Sequence, residues 1–149
     1  MAVTVRAATD DDAGAVAALL TQLGYPTSPD DALARRRDVT SAGSEVLVDD
    51  DGGRVVGVVS FHVIPLLAEG GGFVRITALA VAEDRRGEGV GRLLVREVER
   101  RAREQGATSA EVSSGLKETR IDAHRFYPSL GYRRADQESV VYRRTLVED

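Results

Sequence analysis

The sequence contains no cysteine. Disulfides, zinc–thiolate sites and a thiol nucleophile are thereby excluded. It has only two histidines, His62 and His124, so any imidazole chemistry must use one of them. Positive charge is not in excess. The net charge is −4 at pH 7, which argues against a nucleic-acid partner, since that binding draws its affinity from neutralising phosphates. Long apolar runs are also missing. The opening MAVTVRAATD has no apolar signal core and no stretch approaches a membrane span, so the default expectation is a cytoplasmic protein with no membrane partner. No serine sits in a nucleophile-elbow pattern, and no repeat, low-complexity tract or interdomain linker interrupts the chain.

What remains is the composition of an ordinary globular chain. Its 149 residues, 42% apolar and 30% charged, suit one domain with one core. The acidic residues cluster as Asp10-Asp11-Asp12, Asp30-Asp31 and Asp49-Asp50-Asp51. Runs of this kind read as solvated turns and helix caps.

The most informative stretch is Arg85-Arg86-Gly87-Glu88-Gly89-Val90-Gly91-Arg92. Before it, residues 73–81 (FVRITALAV) read as a strand. After it, Val90, Leu94, Val98 and Ala102 recur every four residues, with Leu93 and Arg101 on the same helical face. A strand, a glycine-rich turn and a helix start make an anion site: the first helical turn has unpaired N–H groups and the positive end of the dipole. The glycines fall as G-x-G-x-G, not the G-x-G-x-x-G of dinucleotide folds, and Gly91 is followed by Arg92-Leu93, not the Lys and Ser or Thr of a P-loop. An ordinary tight loop would also satisfy this spacing.

Along the chain, residues 3–6 read as a first strand. Thr9 or Asp10 caps a helix with an apolar stripe of Ala13, Val16, Ala17, Leu20 and Leu23, ended by Gly24. Ser28 and Asp31 at capping-box spacing, with Pro29 between them, start an arginine-rich surface helix that runs to about Val39. Residues 44–48 and 54–64 read as a hairpin about Asp50-Asp51-Gly52-Gly53. A short strand over residues 110–113, a helix over 120–130 and a last strand over 139–146 complete the order, with 131–134 as a further strand start. This order indicates an α/β protein of the α+β type, with a mixed sheet and helices on its faces.

Arg86, Gly89 and Gly91 spell R-x-x-G-x-G after a strand ending L-x-V (Leu79, Val81). This resembles the acetyl-CoA pyrophosphate motif of the GNAT family, the GCN5-related N-acetyltransferases. Ala123 to Tyr132 similarly resembles that family's A-x-x-F-Y-x-x-L-G-F segment. The resemblance covers nearly the whole chain. It implies a single N-acetyltransferase domain over residues 1–149 with the GNAT acyl-CoA N-acyltransferase fold. In that fold a mixed central sheet, flanked by about four helices, splays open after its fourth strand to admit acetyl-CoA.

The same resemblance assigns roles. Acetyl-CoA is the acetyl donor, with no metal, and a primary amine of a small molecule or peptide is the acceptor; a homodimer is compatible with the family. Backbone N–H groups of Gly87, Glu88, Gly89, Val90 and Gly91 would hold the pyrophosphate, with Arg86 or Arg92 adding charge and Arg85 solvated. The main chain of Val81 would pair with the pantetheine arm and the Leu79 N–H would face the acetyl oxygen. Arg120 stands where many relatives carry an Asn that contacts the coenzyme; it reads equally well as an exposed helix start. Tyr127 occupies the place of the general acid. A phenol with a pKa near ~10 is protonated at neutral pH and can supply a thiolate whose own pKa is ~8.5. Its alternative is a packed tyrosine with a satisfied hydroxyl.

The base is less defined. Histone-type members carry a Glu where this chain has Arg75, and an arginine cannot accept a proton at working pH. Arg75 either binds a substrate carboxylate or pairs with an acid across the sheet. His62 is the candidate base, against the plainer reading of a half-buried strand histidine bonded to a neighbour; His124 reads as structural. The acceptor site would draw on residues 66–72, the first two helices and the last strands, and its amine class stays open. A non-catalytic acetyl-CoA or CoA-binding sensor or partner module of the same fold is the alternative function.

Overall fold

In the computed structural model, which describes residues 3–113, 121–139 and 141–147, a two-residue turn joins two central strands of the sheet. Gly52 and Gly53 both take positive φ, 61° and 102°, the primed geometry that matches strand twist. They join β2 (Glu45–Asp51) to β3 (Arg54–Pro65), so the hairpin is tighter than the acidic run alone suggests. β1 (Val3–Ala7) pairs antiparallel with β2, β4 (Gly72–Val81) antiparallel with β3, and β5 (Ser109–Val112) parallel with β4. The result is a mixed five-stranded sheet in chain order.

Helices connect the strands where the local chemistry allows. α1 (Ala13–Leu23) ends at Gly24, whose φ of 109° only glycine takes without strain. α2 (Pro29–Ser41) starts at Ser28, whose Oγ accepts the Asp31 N–H at 3.1 Å. α3 (Val90–Glu104) crosses from β4 to β5. Among the described residues no helix is long and apolar enough to cross a membrane.

The chain divides into two compact units, Met1–Ser113 and Ser114–Asp149. In the first, Val16, Ala17 and Leu19 of α1 and Ala32 of α2 are buried with Val48, Val56, Val58 and Ala80 of the sheet. Side chains alternate across a strand, so Asp49 and Gly57 point the other way, where Val90 and Leu94 of α3 close over Gly57. The inward stripe of α3 is Val90, Gly91, Leu94, Val95, Val98 and Ala102. Leu93 lies off it and is 43% exposed, because at about 100° per residue it falls beyond the edge of that stripe.

The second unit contains α4 (Ile121–Ser129), with Pro128 near its end and Gly131 at φ 93° beyond it. The strand expected over residues 139–146 is not found among the described residues: Val141, Tyr142 and Leu146 are exposed and in no strand. Apolar residues can mark out a strand, but the pairing that makes one is not local.

Candidate functional site

β4 supplies one wall of the site. Its pairing with β5 covers only Phe73 to Ile76, opposite Ser109 to Val112. Residues 77–81 run on with β3 at one side and, among the described residues, no partner strand at the other. Leu79 pairs in register with Val59 and Val81 with Gly57, and both apolar side chains are half-buried. Among the described residues this leaves one edge of β4 unpaired beside Leu79 and Val81.

The turn follows at once. A single 3-10 turn (Glu83–Arg85) leads to Arg86 in extended conformation, then Gly87 at φ 80° and Gly89 at φ 85°. A Cβ on either glycine would meet nothing within 4 Å, so positive φ, not crowding, is what demands glycine in this turn. Gly89 is the N-cap of α3, and no side chain caps the helix; its first internal bond is Leu93 N–H to Gly89 O at 3.0 Å. The N–H groups of Val90, Gly91 and Arg92 thus precede the helical ladder. Arg86 and Arg92 are exposed, and neither has an ion-pair partner among the described residues.

Arg85 differs from its expected solvated state. Its side chain is 12% exposed and bonds Asp51 Oδ2 at 2.6 Å and Glu88 Oε2 at 3.0 Å. The bond to Asp51, the larger cause, raises its already high pKa further.

His62, Arg75 and Glu111 fall in one row across β3, β4 and β5. His62 is half-buried, with Nδ1 3.2 Å from Ser44 Oγ. Arg75 pairs with Glu111, Nε to Oε1 at 2.8 Å, and lies 5.5 Å over the Phe73 ring. The acid expected across the sheet from Arg75 is Glu111.

Tyr127, in the second unit, is half-buried, its ring edge-on to Phe126 (5.1 Å) and Tyr132 (5.9 Å). Its carbonyl accepts the Leu130 and Tyr132 N–H groups at 3.0 and 3.1 Å. His124 is exposed. Arg120 lies outside the described residues.

The acidic runs hold more structure than solvated turns and caps would. Arg6 grips Asp12 through both Nη atoms (2.8 and 2.9 Å) and Asp50 through Nε (3.0 Å). Asp49 is 0% exposed, and neither carboxylate oxygen has a partner among the described residues. Burial pushes its carboxyl up to about 7. The signal for Asp49 is its alternation with Leu47 on the inward face of β2, which composition alone hides.

Comparison with known proteins agrees with the fold. One curated relative, the aminoalkylphosphonate N-acetyltransferase of Salmonella typhimurium strain LT2, is 37% identical over 83 residues, 56% of this chain. The match spans about half of that relative, 53% of its length. A ribosomal-protein-alanine N-acetyltransferase from Brucella melitensis biovar Abortus 2308 superposes with a TM-score of 0.79 at 23% identity, over 95% of this chain and 99% of its own. An aminoglycoside N-acetyltransferase in complex with CoA also gives 0.79, at 16% identity, over 97% and 95%. The sequence profile described as "Acetyltransferase (GNAT) family" matches residues 14–132, from α1 through the Phe126–Tyr127 segment, and the chain belongs to that family.

Proposed function

We propose that the chain transfers the acetyl group of acetyl-CoA directly to a primary amine. The observation that carries this reading is the turn. Two positive-φ glycines lead into a helix N-terminus that no described side chain caps, Arg86 and Arg92 flank it, and β4 beside it pairs with β3 but has no second partner over residues 77–81 among the described residues. Free N–H groups and cations suit a pyrophosphate. A strand open on one side suits the amide groups of a pantetheine arm, which can pair with it as another strand would.

In this reading the N–H groups of residues 87–91 and the guanidinium groups of Arg86 and Arg92 hold the pyrophosphate, and Arg120 adds a further coenzyme contact. The main chain of Val81 pairs with the arm, and the Leu79 N–H polarises the acetyl carbonyl. His62, directly or through water, takes a proton from the ammonium. The amine nitrogen then bonds to the carbonyl carbon as the carbon–sulfur bond breaks, Tyr127 gives its phenolic proton to the sulfur, and the nitrogen's surplus proton returns to the Tyr127 phenolate to leave a neutral amide. Tyr127's part rests on its place in the A-x-x-F-Y-x-x-L-G segment. Arg75 bonds Glu111 through Nε and Nη2, which leaves the N–H groups of Nη1 to meet a substrate anion.

The name of the Salmonella relative makes amines bearing a phosphonate the first acceptors to try, followed by aminoglycosides and peptide N-termini. The test is thiol release from acetyl-CoA across those three classes. Turnover with any one supports the transferase. CoA binding without release from any amine would favour the non-catalytic binding module.

A further inference from the structure

The end of the β2–β3 hairpin and the segment before α3 are joined by two ion pairs of opposite sense. Asp51 on β2 accepts from Arg85 Nη1 at 2.6 Å. Arg54 on β3 donates to Asp84 through both Nη atoms, at 2.9 and 2.8 Å. Arg85 then continues the chain of contacts, its Nε donating to Glu88 at 3.0 Å. Glu88 stands between Gly87 and Gly89, the two residues that give the turn its shape.

Positive-φ glycines allow this turn but do not stiffen it, because glycine has the widest choice of other conformations. A loop that orders only when its ligand arrives loses affinity by the cost of that ordering. The one side chain at the centre of the turn is tied, through Arg85, to a hairpin whose own register is set by ladder bonds. Arg85 is largely buried and faces two carboxylates, which makes it a poor phosphate ligand and a good strut. Arg86 and Arg92 are left to meet the anion.

We propose that Asp51 and Arg85 are positioning residues for the coenzyme turn: the Asp51–Arg85–Glu88 chain holds the amides of residues 87–91 in their binding arrangement before coenzyme arrives. The proposal rests on the reading of that turn as the pyrophosphate site. It predicts an effect on coenzyme affinity and not on the rate at saturating acetyl-CoA, since Asp51 touches no reacting group.

The test uses the full chain with Asp51→Asn and Asp51→Glu, measuring four quantities: CoA affinity by calorimetry, kcat against KM for acetyl-CoA, Tm, and amide exchange at residues 86–92 without ligand. Asp51→Asn should weaken CoA by about 10-fold, quicken exchange at 86–92 by a similar factor and leave kcat near the parent value, as expected for lost preorganisation. Tm should fall by only a few degrees, since Asp51 is one-third exposed and Arg85 keeps Glu88. Asp51→Glu should recover most of the affinity. Unchanged CoA affinity or unchanged exchange in Asp51→Asn would overturn the proposal, and so would faster exchange throughout the unit with a matching fall in Tm, which marks a merely structural ion pair. If the parent chain binds no CoA while exchange at 86–92 still quickens, the coenzyme reading is what fails, and the role in coenzyme positioning falls with it.

Discussion

The carboxylate of Asp49 fills the space that a side chain at Gly57 would take. A Cβ at Gly57 would stand 2.7 Å from Asp49 Oδ2, 3.0 Å from Val90 Cγ1 and 3.1 Å from Leu94 Cδ1. An acid of one strand thus lies over a glycine of the next, beneath Val90 and Leu94 in the first turns of α3.

Stability should therefore depend on pH in an unusual direction. The folded Asp49 carboxyl is raised from 3.8 to about 7 by burial, so the folded state holds its proton more tightly than the unfolded chain. Its contribution is fully present below the unfolded pKa and is lost as pH rises from about 4 to about 7, with an upper bound on the order of 4 kcal/mol at ~1.4 kcal/mol per pKa unit. Glu97, drawn down to about 2 mainly by Arg100, and Asp12, lowered mainly by Arg6, act in the opposite sense. Their contribution is present above the unfolded pKa and disappears as pH falls toward 2. Denaturant melts at stepped pH should show stability declining between about 4 and 7, and Asp49→Asn should remove that decline while leaving the acid limb. The same slope in both proteins would mean that Asp49 does not hold its proton.

Gly57→Ala should cost about 1–3 kcal/mol, the usual range for forcing atoms into a filled core. The loss should shrink when Asp49→Ala is present in the same chain, because the nearest clash, at 2.7 Å, is with its carboxylate. Additive effects in the double-mutant cycle would place the strain at Val90 and Leu94 instead.

Tyr127→Phe tests the acid. Loss of a general acid lowers kcat by ~10²-fold or more, and here the basic limb of the pH–rate profile should move with it. CoA affinity and Tm should hold, since the ring keeps its edge contacts with Phe126 and Tyr132. Near-normal kcat with chemistry rate-limiting would remove Tyr127 from the reaction. A parallel fall in Tm would make its hydroxyl a structural partner.

The contrast between Arg85 and the glycines explains which parts of this site a sequence can disclose. Gly87, Gly89 and the Val90–Leu94–Val98 period are local signals: the φ values and the helical stripe depend on residues a few positions apart. The opening of the sheet beside Leu79 is implied by the family resemblance and by no local pattern; among the described residues β5 pairs with β4 only from Phe73 to Ile76. Arg85 reads as solvated because its partner Asp51 is 34 positions away and nothing near it announces the pair. Asp49 reads as part of an acidic turn because its burial requires three separate elements, β2, β3 and α3, to close on one point. Arg75 stands between these cases: an acid across the sheet is foreseeable, but only the parallel register chooses Glu111.

The most direct test of the account is a calorimetric titration of CoA into the parent chain and into Gly89→Glu, with circular dichroism and Tm recorded on both. Glu at the N-cap would carry a side chain and a negative charge into the N–H groups proposed to hold the pyrophosphate. It would also take on a positive φ, at a cost of roughly 1–2 kcal/mol. CoA should bind clearly to the parent and not to the variant, with the fold retained. In the parent, Tm should rise with CoA, by a stabilisation of about 2.7 kcal/mol at a hundred times Kd. Equal affinity in the two proteins, or no binding to a well-folded parent, would contradict the proposed pyrophosphate site.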